Sequence, residues 1–314
     1  MAAKQKFYLT TPLYYVNAAP HLGHAYSTIV ADVLRRFKRM QGFDAFLLTG
    51  NDEHGQNIER IARERGIAPK QHCDELSAQF RSLWQRLGIQ YDAFIRTTDD
   101  VHKLAVLELW SRLTKATAPN GEPAIYRGKY SGWYCPRCEE FKDEAGMREP
   151  DHQCIVHEQP CQWTEEENLF FRLSAYQQTL LDYYEQHPEF IRPESRRNEV
   201  VSFVRGGLRD LSISRTTIQW GIPVPKWTGE GGSAAEHVFY VWLDALTGYL
   251  SGIGFGQEGA AAEQFQKLWP ADLHIVGKEI VRFHAVYWPA FLLAAELPLP
   301  RGIYAHGWLL FEEG

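Results

Sequence analysis

Residues 6–55 constrain this chain more than any other stretch, because two strand patterns there bracket one long helical pattern. Phe7-Tyr8-Leu9-Thr10 reads as a strand, and Thr11-Pro12-Leu13-Tyr14-Tyr15 leaves it in an extended turn. From Leu22 onward, Tyr26, Ile29, Val30, Val33 and Phe37 fall on one helical face, and Gly42 ends that helix. Residues 45–49 form the next strand, parallel to the first if the crossover is an ordinary βαβ unit. The helix opens on His21-Leu22-Gly23-His24. A helix start presents unpaired N–H groups and a positive dipole end, so it attracts phosphate. Gly23 removes a side chain where a ligand approaches the backbone. His21 and His24 can donate to phosphate oxygens as charge builds up. The pattern points to nucleotide chemistry at the end of a βαβ unit.

The 314 residues suffice for one large or two medium domains, and 45% apolar with 23% charged residues is the balance of a soluble globular chain. A net charge of −6 gives no general affinity for nucleic acid, so no DNA partner is expected and any polyanion site must be a local patch. The longest apolar run, residues 288–295, is far short of a membrane span. The N-terminus lacks a secretory apolar stretch, and no Asn-x-Ser/Thr sequon occurs. Five cysteines, two of them in one Cys-x-x-Cys, indicate a reducing compartment and a metal rather than disulfides. The expected location is cytoplasmic, with no membrane.

Residues 57–64 and 70–87 read as helices around a turn at 66–69. From Pro119 to about Asn168 the chain is rich in Gly, Pro, Cys and charge, with few periodic apolar residues. Helical patterning returns over 169–210. Residues 239–249, 273–276 and 302–305 then read as further elements of the nucleotide-binding sheet. The expected fold is α/β: a Rossmann-type, doubly wound parallel sheet split by an inserted zinc-knuckle module. Residues 1–118 and 221–314 are the two halves, and 119–220 the insertion.

Cys135-Pro136-Arg137-Cys138 and Cys154-Ile155-Val156-His157 are two pairs with two-residue spacing. Cys135, Cys138, Cys154 and His157 suit tetrahedral Zn²⁺, with Cys161 as a substitute for His157. Four protein ligands leave no open position, so the zinc is structural, folding a segment too polar to fold alone. Cys73 lies in a helical pattern and reads as a buried apolar residue. Gly254–Gly259 fits G-x-G-x-x-G by letter but lacks the strand-to-helix context, so it reads as a flexible loop. The basic run 35–39 reads as a solvated helix end complementing the dipole.

Together these residues resemble the class I aminoacyl-tRNA synthetases, and within them the methionine-specific enzymes. His21-Leu22-Gly23-His24 looks like the class's HIGH motif, and Pro12-Leu13-Tyr14-Tyr15-Val16-Asn17 like the amino-acid loop. Asn51-Asp52-Glu53-His54-Gly55, Phe239-Tyr240-Val241-Trp242-Leu243-Asp244-Ala245 and Gly277-Lys278-Glu279-Ile280-Val281-Arg282-Phe283-His284 resemble three further motifs of that branch. Leu211-Ser212-Ile213-Ser214-Arg215 and Trp220-Gly221-Ile222-Pro223 are similar to segments shared across the class, and the knuckle sits where the family carries its connective insertion.

The resemblance implies activation of L-methionine with ATP and Mg²⁺ to methionyl-adenylate, followed by transfer to a methionine tRNA. It implies that His21 and His24 are catalytic and bind ATP phosphates, with Gly23, Gly277 and Glu279 also in the ATP site. Asp52 would hold the methionine ammonium. Pro12, Leu13, Tyr15, Trp242, Ala245, Tyr249, Ile280 and His284 would form the rest of the methionine site, aromatic rings suiting a polarisable sulfur. A Tyr15 hydroxyl or a His284 nitrogen would mark the sulfur as a weak acceptor.

The chain departs from the pattern in places. It ends at Gly314, before the lysine-rich KMSKS-type loop and the anticodon-binding domain that the resemblance leads one to expect, so it reads as an N-terminal catalytic portion. Ser27 stands where some members carry an acid, Glu279 replaces the more usual Asp, and Leu246 replaces a Pro. The rival readings are another class I synthetase, a nucleotidyltransferase that does not use tRNA, and a zinc-containing nucleic-acid-binding module without catalysis. The branched-chain synthetases usually carry an editing insertion larger than residues 119–168. The acidic residues Glu139, Glu140, Asp143, Glu144, Glu149 and Asp151 oppose a nucleic-acid-binding knuckle.

Overall fold

The structure, a computed structural model, describes residues 4–137, 140–142, 144–226 and 236–309. Along the chain run β1 (Lys6–Tyr15), α1 (Leu22–Met40), β2 (Asp44–Asp52), α2 (Gln56–Glu64), α3 (Pro69–Arg86), β3 (Ala93–Arg96) and α4 (Asp100–Leu113). A second group follows: β4 (Ile125–Cys135), β5 (Glu140–Lys142), β6 (Met147–Arg148), β7 (Gln153–Cys154) and β8 (Gln162–Phe171). Then come α5 (Gln177–Gln186), β9 (Ile191–Arg192), α6 (Glu194–Arg205), β10 (Leu211–Ser212), β11 (Ser214–Arg215) and β12 (Val238–Phe239). Last are α7 (Val241–Ser251), α8 (Ala260–Leu268), β13 (Leu273–Gly277), α9 (Trp288–Ala294) and β14 (Ile303–His306).

Six strands form one parallel sheet in the order β3-β2-β1-β13-β14-β9. The order runs backward from β1 to β3 on one side and forward through β13 and β14 on the other. The reversal lies between β1 and β13, and their carboxyl ends open a crevice there, the usual ligand position in such sheets. β1 is buried on both faces over Tyr8–Pro12, as a central parallel strand must be. Its register against β2 shifts between Thr10 and Leu13, just before the cavity-lining residues. On one side of the sheet, Ala31 of α1 packs with Leu9, Leu47 and Ile275. The larger core packs α4, α7 and α9 against the sheet through residues such as Leu48, Leu109, Leu250 and Phe291. Among the described residues no helix is long and apolar enough to cross a membrane.

Helix α1 turns its expected apolar face outward. Ile29, Val33 and Phe37 are exposed, whereas Asp32 and Arg35 are buried. Arg35 makes two bonds to Asp92, at 2.6 and 2.8 Å, and the same carboxylate accepts from Leu47 N at 2.9 Å. This bidentate pair ties the helix to the sheet edge and satisfies the buried charge. Arg35 thus departs from the reading of residues 35–39 as a solvated run, whereas Arg36 and Arg39 are exposed and Lys38 and Arg39 stand in the helix's last turn as read. Arg39 also reaches Asp92, Arg36 pairs with Asp32, and Lys38 lies over the rings of Phe7 and Phe43.

Within residues 239–249, Phe239 ends β12, which pairs with β11 apart from the main sheet, and Val241 onward is helix α7 and not a sheet strand. All of α7 except Trp242 is buried, so its apolar pattern lacks the 3.6-residue period that marks a half-exposed helix. Residues 169–210 begin with the end of β8, and β9 then pairs with β14, returning to the main sheet before residue 221. Between the halves, β4 and β8 pair antiparallel from Ile125↔Phe171 to Tyr134↔Gln162 in a four-stranded sheet ordered β10-β8-β4-β5. Cross-strand aromatic pairs, Tyr126 on Phe170 and Trp133 against Trp163, pack along this sheet. The G-x-G-x-x-G stretch is a tight turn. Gly254 has φ +104°, a Cβ there would meet Ala261 O at 2.0 Å, and Phe255 is buried.

Candidate active site

The first turn of α1 shows why two histidines stand three residues apart. His21 is the N-cap residue, with its side chain accepting from Gly23 N at 3.1 Å. His24, at the third helical position, accepts from His21 N at 3.2 Å. This is a capping box built from imidazoles. A ring nitrogen that accepts from a backbone N–H carries no proton, so each of these rings turns Nε2 outward as its donor. The rings stack with centroids 3.7 Å apart. Burial, and then the neighbouring His21, push the His24 pKa down to about 3, so His24 is a neutral Nε2–H donor at neutral pH. Gly23 serves the cap too: a Cβ there would lie 3.0 Å from His21 Cε1.

Asp52, buried at the carboxyl end of β2, pairs in register with Tyr15. Facing it, α7 and the segment after β13 form an aromatic wall. Trp242 stacks on Phe283 with centroids 3.7 Å apart and planes within 5°. Tyr249 donates to His284 Nε2 at 2.6 Å, and His284 Nδ1 donates to Ile280 O at 2.9 Å. Both nitrogens of His284 are thereby engaged by protein, so a nitrogen of His284 is not presented to a ligand in this structure. Burial lowers its pKa to about 4 despite the Ile280 carbonyl, so the ring is neutral. Residues 283–287 form a π-helical turn, a local widening that recurs at functional sites. Tyr8 donates to Tyr249 O at 2.7 Å, anchoring α7 to β1.

One cavity of about 760 Å³ joins these parts, within the range of small-molecule sites. Every residue outside the knuckle that the sequence singled out lines it: Pro12, Leu13, Tyr15, His21, Gly23, His24, Asp52, Trp242, Ala245, Tyr249, Gly277, Glu279, Ile280 and His284. The sequence marked Ser27 only as a departure from the pattern and gave no role to His306, Trp308 or Arg137 in the lining. Ser27 bonds His306 Nε2 at 2.7 Å, and Trp308 donates to Glu279 at 3.0 Å while Lys278 lies 3.8 Å from its ring centroid. Ser27, His306, Trp308 and Arg137 all line the cavity.

Behind the wall lies a buried network. Asp244 accepts from His54 Nδ1 at 2.6 Å and from His102 Nε2 at 2.7 Å, and His102 Nδ1 meets Ser251 Oγ at 2.8 Å. Burial alone would raise the Asp244 pKa, but the two imidazoles outweigh it and hold the carboxylate at about 2. His54 and Asp244 lie within motifs the sequence offered, whereas His102 carried no local signal.

In the insertion, ligand atoms of Cys135, Cys154 and His157 lie within 4.8 Å of one another, with Cys135 Sγ 3.8 Å from His157 Nδ1. Cys161 is buried in the same cluster. Burial and then Cys135 and Cys154 push its thiol up to about 11. Cys138 lies outside the described residues.

The family profile described as tRNA synthetases class I (M) matches residues 7–147 and 145–314. The chain is 50% identical over 306 residues to a methionine–tRNA ligase of Thermotoga maritima, covering 97% of this chain and 46% of the relative. A methionine–tRNA ligase of Thermosynechococcus vestitus is 50% identical over 305 residues, covering 96% of this chain and 55% of the relative. Among solved structures, Mycobacterium tuberculosis methionyl-tRNA synthetase in complex with methionyl-adenylate superposes with TM-score 0.88 at 48% identity, covering 96% of this chain and 57% of that one. The free form of the same enzyme gives 0.80 at 46% identity, covering 97% and 56%. The chain therefore belongs to the class I aminoacyl-tRNA synthetases of the methionine type. It spans about half the length of the curated relatives it matches.

Proposed function

We propose that this chain is the nucleotide- and amino-acid-binding part of a cytoplasmic enzyme that activates L-methionine with ATP and charges a methionine tRNA. One observation carries the reading: a single cavity joins a buried carboxylate, an aromatic wall and a helix N-terminus bearing two imidazole N–H donors. Asp52 pairs with the substrate ammonium, and Leu13, Trp242, Ala245 and Tyr249 enclose the thioether. The methionine carboxylate oxygen attacks the α-phosphorus of ATP, and the bond to pyrophosphate breaks. His21 and His24 donate from Nε2 to phosphate oxygens. Glu279 is placed for a ribose hydroxyl, and Mg²⁺ accompanies the ATP.

The insertion serves as a structural zinc module. The ligand atoms of Cys135, Cys154 and His157 lie within 4.8 Å of one another, which supports a shared ion, and their thiolate and imidazole chemistry suits zinc. Cys135, Cys154 and His157 supply three ligands, and Cys138 the fourth. Zinc would fix the turn between β4 and β5 beside the cavity.

A thermal titration tests the methionine assignment. A ligand at 100 times its Kd stabilises the native state by about 2.7 kcal/mol. L-methionine is expected to raise the unfolding midpoint, L-leucine at equal concentration is not, and ATP–Mg²⁺ is to act independently. Equal responses to the two amino acids would remove the methionine assignment.

A further inference from the structure

The geometry points to Arg137 as a phosphate-contacting residue of the activation step, delivered to the nucleotide site by the turn that follows β4. The inference rests on the proposed activation chemistry. Its starting point is the charge balance of the cavity. Among its described lining residues, Asp52 and Glu279 are the carboxylates and Arg137 is the one arginine or lysine. The substrates bring a triphosphate and a carboxylate to that lining. The lining histidines are already engaged by protein: the helix cap uses Nδ1 of His21 and of His24, His284 is bonded on both sides, and His306 meets Ser27 Oγ and the Gly307 carbonyl. Of the other cations, Lys278 lies over the Trp308 ring and does not itself line the cavity, and Arg215 is buried. Its guanidinium bonds Ser212 Oγ at 2.9 Å and Ser214 O at 2.8 Å and lies over Tyr240, and it does not line the cavity.

Local structure carries Arg137 to this place. β4 ends at Cys135, where Tyr134 is buried beside His54, Gly55 and Trp220, at the junction just beyond Asp52. Arg137 follows Cys135 by two residues and is exposed while lining the cavity. A guanidinium presents a planar fork that matches two phosphate oxygens, so it both neutralises and orients the group. Its contribution is to the charge that develops on the α-phosphate and the departing pyrophosphate.

The test uses the full-length protein, wild type beside Arg137→Ala and Arg137→Lys. Methionine-dependent ATP–pyrophosphate exchange gives kcat and the separate KM values for ATP and methionine, and tRNA charging is followed in parallel. Arg137→Ala is expected to lower kcat/KM for ATP at least tenfold, with the KM for methionine within twofold of wild type. Arg137→Lys should recover part of the loss. Unchanged methionine-induced thermal stabilisation and zinc content in the variants would separate this from a knuckle that fails to fold. Exchange that is untouched in Arg137→Ala overturns the inference. So does a defect confined to tRNA charging, which would place the guanidinium on the acceptor end instead. Absence of exchange in the wild type would overturn the activation chemistry itself, a different failure.

Discussion

A methyl group at position 248 has no room. A Cβ built there lies 2.2 Å from Leu13 Cδ1, so Gly248→Ala must drive Leu13 into the cavity or α7 away from β1. Overpacking of this kind costs about 1–3 kcal/mol of stability. The specific expectation is methionine binding weakened at least tenfold with ATP binding preserved, because Leu13 lines the proposed thioether side and not the helix cap. Calorimetric titration with each ligand distinguishes the two, and equal losses would show a general collapse. Asp52→Asn keeps the shape and removes the charge. Hydrogen bonds to charged groups contribute about 1.5–3 kcal/mol, so methionine affinity should fall roughly 10- to 150-fold. An Asn variant that binds methionine as wild type does would displace Asp52 from the ammonium. These positions were legible because their neighbours in sequence form compact motifs. The His54–Asp244–His102 network was not, since its members lie 190 and 142 residues apart and meet only through the fold.

That network acts on elements. It joins the end of β2, helix α4 and helix α7, so it fixes the wall carrying Trp242, Ala245 and Tyr249 relative to Asp52. Removing one partner of a buried hydrogen-bonded network leaves the others unsatisfied, at about 1–3 kcal/mol for each orphaned group. Asp244→Ala should therefore lower the stability of this chain by that amount in urea titration, and a loss under 1 kcal/mol would show that the histidines find other partners. Helix α1 gives the opposite expectation. The sequence placed Ile29, Val33 and Phe37 on one face correctly, but the burial of that face did not follow. Asp32 and Arg35 are buried instead, because Asp92 satisfies Arg35 from 57 residues away, a pairing that no local pattern reveals. Val33→Lys should then change stability by no more than about 0.5 kcal/mol, as at any exposed helix position, whereas Arg35→Ala should cost several times as much. A large loss for Val33→Lys would return that face to the core. Helix α7 escaped recognition for the reverse reason, being buried nearly all round and so without a polar stripe.

At the scale of the whole molecule, the buried imidazoles make stability depend on acid. His274 on the central strand β13 and His284 beyond it are buried and neutral, the first held well below its ordinary pKa by burial and the second at about 4. In the unfolded chain a histidine titrates near 6.5. Between 6.5 and 4 the unfolded state therefore binds protons that the folded state refuses, and stability rises with pH across that window. Their contribution is complete above pH 6.5 and is lost as pH falls toward 4, at about 1.4 kcal/mol per pH unit for each group within its window. Asp244 follows a different course. With its folded pKa held at about 2, its contribution is present above the unfolded value near 3.8 and disappears only as pH falls toward 2. The sheet should therefore weaken in two stages, histidines first and carboxylate second. Urea unfolding midpoints at half-unit steps from pH 7.5 to 4.5 are expected to stay level down to about 6.5 and then fall steadily. His284→Gln, which keeps polarity without a titrating group, should flatten that fall. Midpoints unchanged down to pH 4.5, or an identical slope in the Gln variant, would mean that the site opens to admit protonated rings. The aromatic wall would then be a mobile element and not the fixed side of a methionine-shaped cavity.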